Sequence, residues 1–392
     1  MIEIDLWLLV LLPLLFAAGW LARGFEARAK AQEGGVAPRS VFKGLNLLLN
    51  EQPDEAIDAF IDVVKLDPEM IDLHDALGNL FRRRGEFDRA IRVHTHLLNR
   101  ADLPAKKRTQ ALVDLGQDYL KAGMLDRAEE TFERLLQDHE HRFAALRMLL
   151  HVYAVERDWP KAIDCARRLE REAAESHGVS IAHFCCQLAE ADIARGDLDA
   201  AQRRVDEALS ANRKSVRATL MAGDIAHKRQ DHQAATALWL GVLQTDASYL
   251  PLVAKRLTAA LDALGRRQEA LHMLRKHLQD TPSIDLLDIT YQRMTEWEGP
   301  EAAETLLRHA LQHNPSLLGF ERLLALRMAG QGAAAADTEL SQLRSLLATH
   351  TQRLACYRCG HCGFRAREFY WQCPGCARWD TYPPRRIEEL DT

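Results

Sequence analysis

The sequence predicts an all-α fold: a solenoid of helical repeats behind an apolar N-terminal helix, closed by a small metal-binding knuckle. Three observations predict it. Small and bulky residues recur about every 34 positions through the body of the chain. Residues 6–22 form an uncharged apolar run, and two CxxC pairs lie near the C-terminus. Composition agrees: aromatic residues make up only 7% of the 392, while Ala and Leu abound, which favours helix over sheet. Hydrophobic residues at 47% and charged residues at 27% exclude disorder over most of the chain. The formal net charge of −5, from 51 Lys+Arg against 56 Asp+Glu, gives no global electrostatic reason to bind nucleic acid.

The apolar run, Leu6 to Ala22, holds 17 residues without a charge. As a helix it spans about 25 Å, enough for the hydrocarbon core of a thin bilayer. Trp7 and Trp20 sit near its ends, where amphipathic rings favour the interface. Glu3 and Asp5 precede it; Arg23, Arg28 and Lys30 follow. The positive-inside rule then puts everything after Arg23 in the cytoplasm. A cleaved signal peptide would want Lys or Arg ahead of the run. Residues 1–22 therefore read as a retained transmembrane anchor and residues 23–36 as a polar linker.

The body repeats itself. Gly44 and Gly78 are 34 apart, as are Ala56 and Ala90, and Val63 and Leu97. The next register, Gly116, Ala128, Phe132 and Leu135, comes 38 later, so four residues are inserted near Ala101–Lys107. Another 34 gives Tyr153, Ala162, Ala166 and Leu169, followed by a five-residue insertion near Glu172–Val179. Ala189, Gly196, Ala201 and Ala208 resume the pattern, and 34 later come Gly223, Ala235, Trp239 and Val242. Thr258, Gly265, Ala270 and Leu274 follow at 35, then Ala303, Leu307, Ala310 and Pro315 at 33. A weaker unit starts at Leu317. These are the small, aromatic and bulky positions of tetratricopeptide repeats, with Pro68, Pro282 and Pro315 in the closing slot. Two antiparallel helices approach closely where a small residue on one meets a bulky residue on its neighbour, and proline stops the second helix. GEFDRA (Gly85–Ala90), GMLDRA (Gly123–Ala128) and GDLDAA (Gly196–Ala201) read as the turns within repeats. Residues 37–350 thus hold about nine repeats, an architecture that offers a concave groove for partners. Groove-side slots hold Asn79, Arg82, Arg83, Lys121, His227 and Lys228. Equivalent slots hold Glu190, Asp224 and Asp262, so the reading is an ordinary solvated face rather than a basic patch.

Eight cysteines are present, five of them within the last 37 residues. Cys359-Gly-His-Cys362 and Cys373-Pro-Gly-Cys376 form a CxxC-x10-CxxC array. Four thiolates on two tight turns are a tetrahedral ligand set for zinc, or for iron in rubredoxin. Clustering of this kind also favours a reducing compartment over a disulfide framework. Cys356 makes a third CxxC spacing with Cys359, but the Gly and aromatic residue after Cys362 favour the 359/362 register. Residues 351–382 read as the metal-binding domain, with Tyr370, Trp371 and Trp379 as its apolar cover, and 383–392 as a tail. A domain this small needs metal to supply folding energy. Arg358, Arg365, Arg367, Arg378, Arg385 and Arg386 make this end locally basic. They keep one alternative open, a zinc-ribbon nucleic-acid-binding scaffold, and the knuckle itself keeps a second, a rubredoxin-like redox protein.

No phosphate-binding loop, dinucleotide fingerprint, serine-elbow or HExxH motif occurs. His94/His96 and His139/His141 are HxH pairs, which do not share a helix face, so they read as surface or packing residues. Cys185-Cys186 falls in apolar helical pattern and reads as core. No catalytic residues are expected.

Anchor, repeats and four-cysteine knuckle in this order resemble the lipopolysaccharide assembly protein B family of Gram-negative bacteria. The resemblance covers essentially the whole chain and is carried by Gly78–His94, Ile181–Ala189, Tyr357–Phe364 and Tyr370–Cys376. It implies one metal ion, zinc or iron, on Cys359, Cys362, Cys373 and Cys376. It also implies a non-enzymatic inner-membrane adaptor facing the cytoplasm. Such a protein restrains lipopolysaccharide synthesis by promoting degradation of the LpxC deacetylase by the membrane protease FtsH. Its other implied partners are a membrane regulator that senses lipopolysaccharide and further lipopolysaccharide-synthesis proteins.

Overall fold

The computed structural model describes residues 71–330, 338–353 and 356–390. The anchor at 1–22, the linker at 23–36 and the repeat marked by Gly44, Ala56, Val63 and Pro68 lie outside the described residues. Among the described residues, no helix is long and apolar enough to cross a membrane.

Sixteen of the described helices follow one another in pairs. They are α1 (Ile71–Arg83) with α2 (Phe87–Leu98), α3 (Ala105–Lys121) with α4 (Leu125–Leu135), and α5 (Arg142–Glu156) with α6 (Trp159–Ala173). Next come α7 (Gly178–Arg195) with α8 (Leu198–Ala211), α9 (Val216–Lys228) with α10 (His232–Thr245), and α11 (Leu250–Ala263) with α12 (Arg267–Asp280). The last are α13 (Ile284–Trp297) with α14 (Pro300–His313) and α15 (Leu317–Gly330) with α16 (Thr338–Arg353). A 3-10 turn (Ala247–Tyr249) between α10 and α11, a two-stranded ribbon, β1 (Tyr357–Arg358) and β2 (Arg365–Ala366), and a one-turn helix, α17 (Ile387–Leu390), complete the described chain. The fold is an all-α tetratricopeptide-repeat fold with a small β-ribbon module behind it. Two compact units divide it, one through Val152 and one from Tyr153.

The turn inside each of the first seven pairs has one design. One residue in it adopts a left-handed conformation: Gly85, Gly123, Gly196, Gly265 and Gly299 supply it, and Arg157 and Gln230 adopt it with side chains. Aspartates at 158, 197 and 231 then cap the second helix, their side chains accepting the backbone N–H groups of Lys161, Ala200 and Ala234. The cap satisfies one of the orphan donors that every helix start exposes.

Packing inside each pair follows the small-to-bulky rule. A Cβ built on Gly78 would stand 2.4 Å from His94 Nε2, one on Gly116 2.6 Å from Phe132, and one on Gly223 2.3 Å from Trp239. Any side chain at these three positions would push the helices apart. In the first unit Phe132 is 1% exposed, and Leu97, Leu103 and Ala111 form an apolar cluster. The second unit centres on the fully buried Trp239, whose Nε1 donates to the Leu220 carbonyl at 3.2 Å. Around it pack Ala235, Val242, Leu257, Ala270 and Leu274. Cys165, Cys185 and Cys186 are buried in the same unit, the last two as their apolar surroundings in sequence predict. Burial, the dominant influence, pushes the Cys185 thiol up to about 11 and Cys186 up to about 12, which removes thiolate reactivity at neutral pH.

Candidate metal centre

Two knuckles of one design bring the cysteines together. In the first, Cys359 N–H donates to the Phe364 carbonyl at 2.9 Å and Gly363 N–H donates to the Cys359 carbonyl at 3.0 Å. In the second, Cys373 N–H donates to the Arg378 carbonyl at 2.9 Å and Ala377 N–H donates to the Cys373 carbonyl at 2.8 Å. The registers match residue for residue. The fifth residue of each knuckle is left-handed, Gly363 at φ 76° and Ala377 at φ 55°. The ribbon pairs Tyr357 with Ala366 and Arg358 with Arg365, which closes the first knuckle.

The four sulfurs of Cys359, Cys362, Cys373 and Cys376 all lie within 4.8 Å of one another. Cys359 and Cys376 Sγ are 3.9 Å apart, and Cys362 and Cys373 Sγ are 3.6 Å apart. A tetrahedron with metal–sulfur bonds of about 2.3 Å has edges of about 3.8 Å, so the spacing fits a tetrathiolate ion. Backbone N–H groups of His361, Phe364 and Arg378 lie on Cys359, Cys362 and Cys376, the arrangement that stabilises thiolate. At Cys359 burial works the other way, but bonds from Thr381 and the backbone bring the thiol down to about 6, while neighbouring thiols help hold Cys362 and Cys376 up. Cys359 and Cys373 are 2% and 1% exposed, Cys362 is exposed, and Cys376 is half-buried. Cys356 stands outside this set: its carbonyl accepts from Ile387 N–H at 2.8 Å, and burial raises its thiol.

The aromatic cover differs from the sequence expectation. Tyr370 stays with the module, edge-on to Tyr382 at 6.1 Å, and Trp371 packs edge-on against the module's Phe369 at 5.0 Å. Tyr382, 1% exposed, packs on the cysteines together with Tyr357 and Phe369: its hydroxyl lies 4.0 Å from Cys373 Sγ and donates to the Phe364 carbonyl at 3.2 Å. The two tryptophans turn outward onto the repeats. Trp379 stacks on His183 of α7 at 4.5 Å and 11° and packs edge-on against Trp159 and Phe184. Arg217 of α9 lies over the same indole at 5.5 Å. Trp371 stacks on Tyr249 at 5.6 Å and 5°. Large indoles recover more apolar burial against helices than on a module this small.

Polar contacts lock the dock. His183 Nε2 is 2.8 Å from Asp380 Oδ2. Tyr357 donates its hydroxyl to Asp285 of α13 at 2.8 Å, and Arg386 donates to the same carboxylate at 2.9 and 2.7 Å. Glu389, in the segment read as a tail, accepts Ile284 N–H at 2.6 Å. His183, Tyr249, Asp285 and Tyr382 were not singled out by sequence; their partners lie up to 197 residues away in the chain.

The groove-side charges are tied to one another. Arg82 bonds Asn79, Asp114 and Asp118; Arg217 bonds Glu190 at 2.7 Å; Arg256 bonds Asp224, and Arg267 bonds Asp262. Arg83, Lys121 and Lys228 are exposed, and His227 sits 3.2 Å from His232. This is the solvated, internally paired face, not a basic track. Among the arginines of the module, Arg386 is committed to Asp285, while Arg365, Arg367, Arg378 and Arg385 face solvent. Of the HxH residues, His94 is core, His96 stacks on His74 at 6.1 Å, and His141 approaches Asp138 at 3.4 Å.

Comparison with known proteins agrees with this geometry. Residues 357–384 match a family described as a rubredoxin metal binding domain. Residues 73–108, 113–177 and 186–249 match tetratricopeptide-repeat families. Lipopolysaccharide assembly protein B of Escherichia coli (strain K12) is 34% identical over 384 residues, covering 97% of this chain and 98% of that protein. Its namesake in Haemophilus influenzae is 27% identical over 394 residues, with 97% and 98% covered. Among solved structures, the Naa15/Naa10 complex bound to HypK-THB aligns at 14% identity and TM-score 0.42, covering 80% of this chain and 51% of that one.

Proposed function

The chain belongs to the lipopolysaccharide assembly protein B family, and from that premise we propose that it is a non-enzymatic, membrane-tethered adaptor in lipopolysaccharide assembly. The observation that carries this reading is the 34% identity spread over 97% of the chain, which includes both the repeats and the metal module. The name of those relatives supports the lipopolysaccharide role. The finer reading is that the repeats hold the LpxC deacetylase near the membrane protease FtsH, and that a lipopolysaccharide-sensing membrane regulator and other synthesis proteins dock on the same scaffold. The uncharged run at residues 6–22 tethers the chain to the inner membrane, with the repeats on the cytoplasmic side.

Cys359, Cys362, Cys373 and Cys376 hold one zinc or iron ion in this reading. The ion supplies folding energy to a module too small to bury a core. The chain's own residues do the rest: Trp371, Trp379 and Arg386 fix the module on the repeats. Tethering raises the effective concentration of weakly bound clients beside a membrane protease without any new contact.

The deciding experiment is the half-life of the deacetylase in cells depleted of this protein and complemented with wild type or with Cys359→Ser/Cys362→Ser. The half-life should lengthen on depletion, shorten again with wild type, and stay long with the double variant. An unchanged half-life on depletion would remove the adaptor reading and leave a scaffold with other clients.

A further inference from the structure

The first unit holds a second set of metal-ligand side chains. Asp75 on α1, His94 on α2 and Asp114 on α3 each bring one ligand atom to within 4.8 Å of the others. His94 occupies the bulky slot that other repeats fill with Phe132, Val205, Trp239 or Leu274. Packing alone therefore does not require an imidazole there. The side chain of His94 is 0% exposed, and its Nδ1 lies 2.5 Å from Oδ2 of the equally buried Asp118. A carboxylate there accepts a hydrogen bond from Nδ1–H and so leaves the lone pair on Nε2, the tautomer found in metal-bound histidines. Nε2 has no hydrogen-bond partner. It faces Asp75 Oδ1 at 3.8 Å, an atom that also has none.

The charges agree. Arg82 donates to Asp114 Oδ1 at 2.8 Å and to Asp118 Oδ1 at 2.9 Å, and Gln110 donates to Asp114 Oδ2 at 2.8 Å. Lys107, the other nearby cation, is held by Asp72. Three carboxylates (Asp75, Asp114, Asp118) against one guanidinium leave a formal charge of −2 beside the imidazole, which one divalent cation balances. A tetrahedral site with bonds of about 2.0–2.1 Å has ligand edges of about 3.3 Å, so side-chain adjustments on the order of 1 Å bring the three atoms to ligation. The Asp75 side chain, 29% exposed, gives the ion a way in.

We propose that Asp75, His94 and Asp114 bind one divalent transition-metal ion, zinc for preference, with water as the fourth ligand and Asp118 positioning the imidazole from behind. One imidazole and two carboxylates suit zinc, with manganese a weaker fit. The ion would staple α1, α2 and α3, and so join two consecutive repeats.

The full chain in detergent micelles is dialysed against zinc buffered by a weak chelator, and metal per chain is measured by elemental analysis. Wild type should hold two zinc ions and the Cys359→Ser/Cys373→Ser variant one. His94→Gln and Asp75→Asn should each hold one, the latter, at a partly exposed side chain, keeping the fold intact if the former does not. Asp118→Asn should keep the second site but weaken it about 10–100-fold. One zinc per chain in wild type, with an imidazolium signal for His94 in nitrogen NMR at neutral pH, would overturn the proposal. So would two zinc ions retained in both the His94 and Asp75 variants.

Discussion

Arg157 and Gln230 adopt φ 61° and 66° at the turn position that glycine holds in five other pairs. A side chain there costs about 1–2 kcal/mol of backbone strain, and glycine gives back about 0.5–1 kcal/mol in lost unfolded-state entropy. Arg157→Gly and Gln230→Gly should each stabilise the protein by about 0.5–1 kcal/mol, read as a rise in urea midpoint at constant slope. Ala377 has the same strain inside the second knuckle, where its counterpart is Gly363, and Ala377→Gly should slow metal release. Gly223 answers in the opposite sense. A Cβ there meets Trp239 at 2.3 Å, so Gly223→Ala should cost about 1–3 kcal/mol, whereas Gly241→Ala, with nothing within 4 Å, should not destabilise. Equal effects at 223 and 241 would mean that helix propensity, not close packing, selects glycine in that slot.

At the scale of elements, the metal module and the repeats stabilise each other through two stacked tryptophans and one shared carboxylate, Asp285. Chelating the metal removes the folding energy of the knuckles, so Trp371 and Trp379 should leave their partners and tryptophan emission should shift to the red. Trp379→Ala should cost about 3–5 kcal/mol by exposing Trp159, Phe184 and His183, without releasing metal. Emission unchanged after complete metal loss would show a module that holds its dock without the ion. The asymmetry between what was and was not legible in the sequence lies in this interface. The four ligands were legible because a CxxC turn is local: both sulfurs and the N–H groups that serve them sit within six residues. The repeats were legible because one small-to-bulky contact recurs. The roles of Trp371 and Trp379 were misread as cover for the sulfurs, since sequence shows that an indole needs burial but not against what. Tyr382, His183 and Asp285 carried no local signal at all, because their chemistry exists only when distant segments meet.

For the whole molecule, the decisive property in the adaptor reading is where the repeats are held. A client bound weakly by a free protein dissociates and diffuses away, whereas a tether to the membrane that also carries the protease raises the local concentration toward the millimolar range. The tether then contributes position and not specific contact. Deleting residues 1–22 should leave the affinity of the purified repeats for the deacetylase unchanged while the deacetylase half-life in cells lengthens as it does on depletion. Replacing residues 1–22 with an unrelated single-pass helix of the same orientation should restore the short half-life. The two variants separate two kinds of anchor. If the unrelated helix fails although the protein reaches the membrane in normal amount, the apolar segment itself binds a partner, and the sensor of lipopolysaccharide level is to be sought against Leu6–Ala22 and not along the repeats.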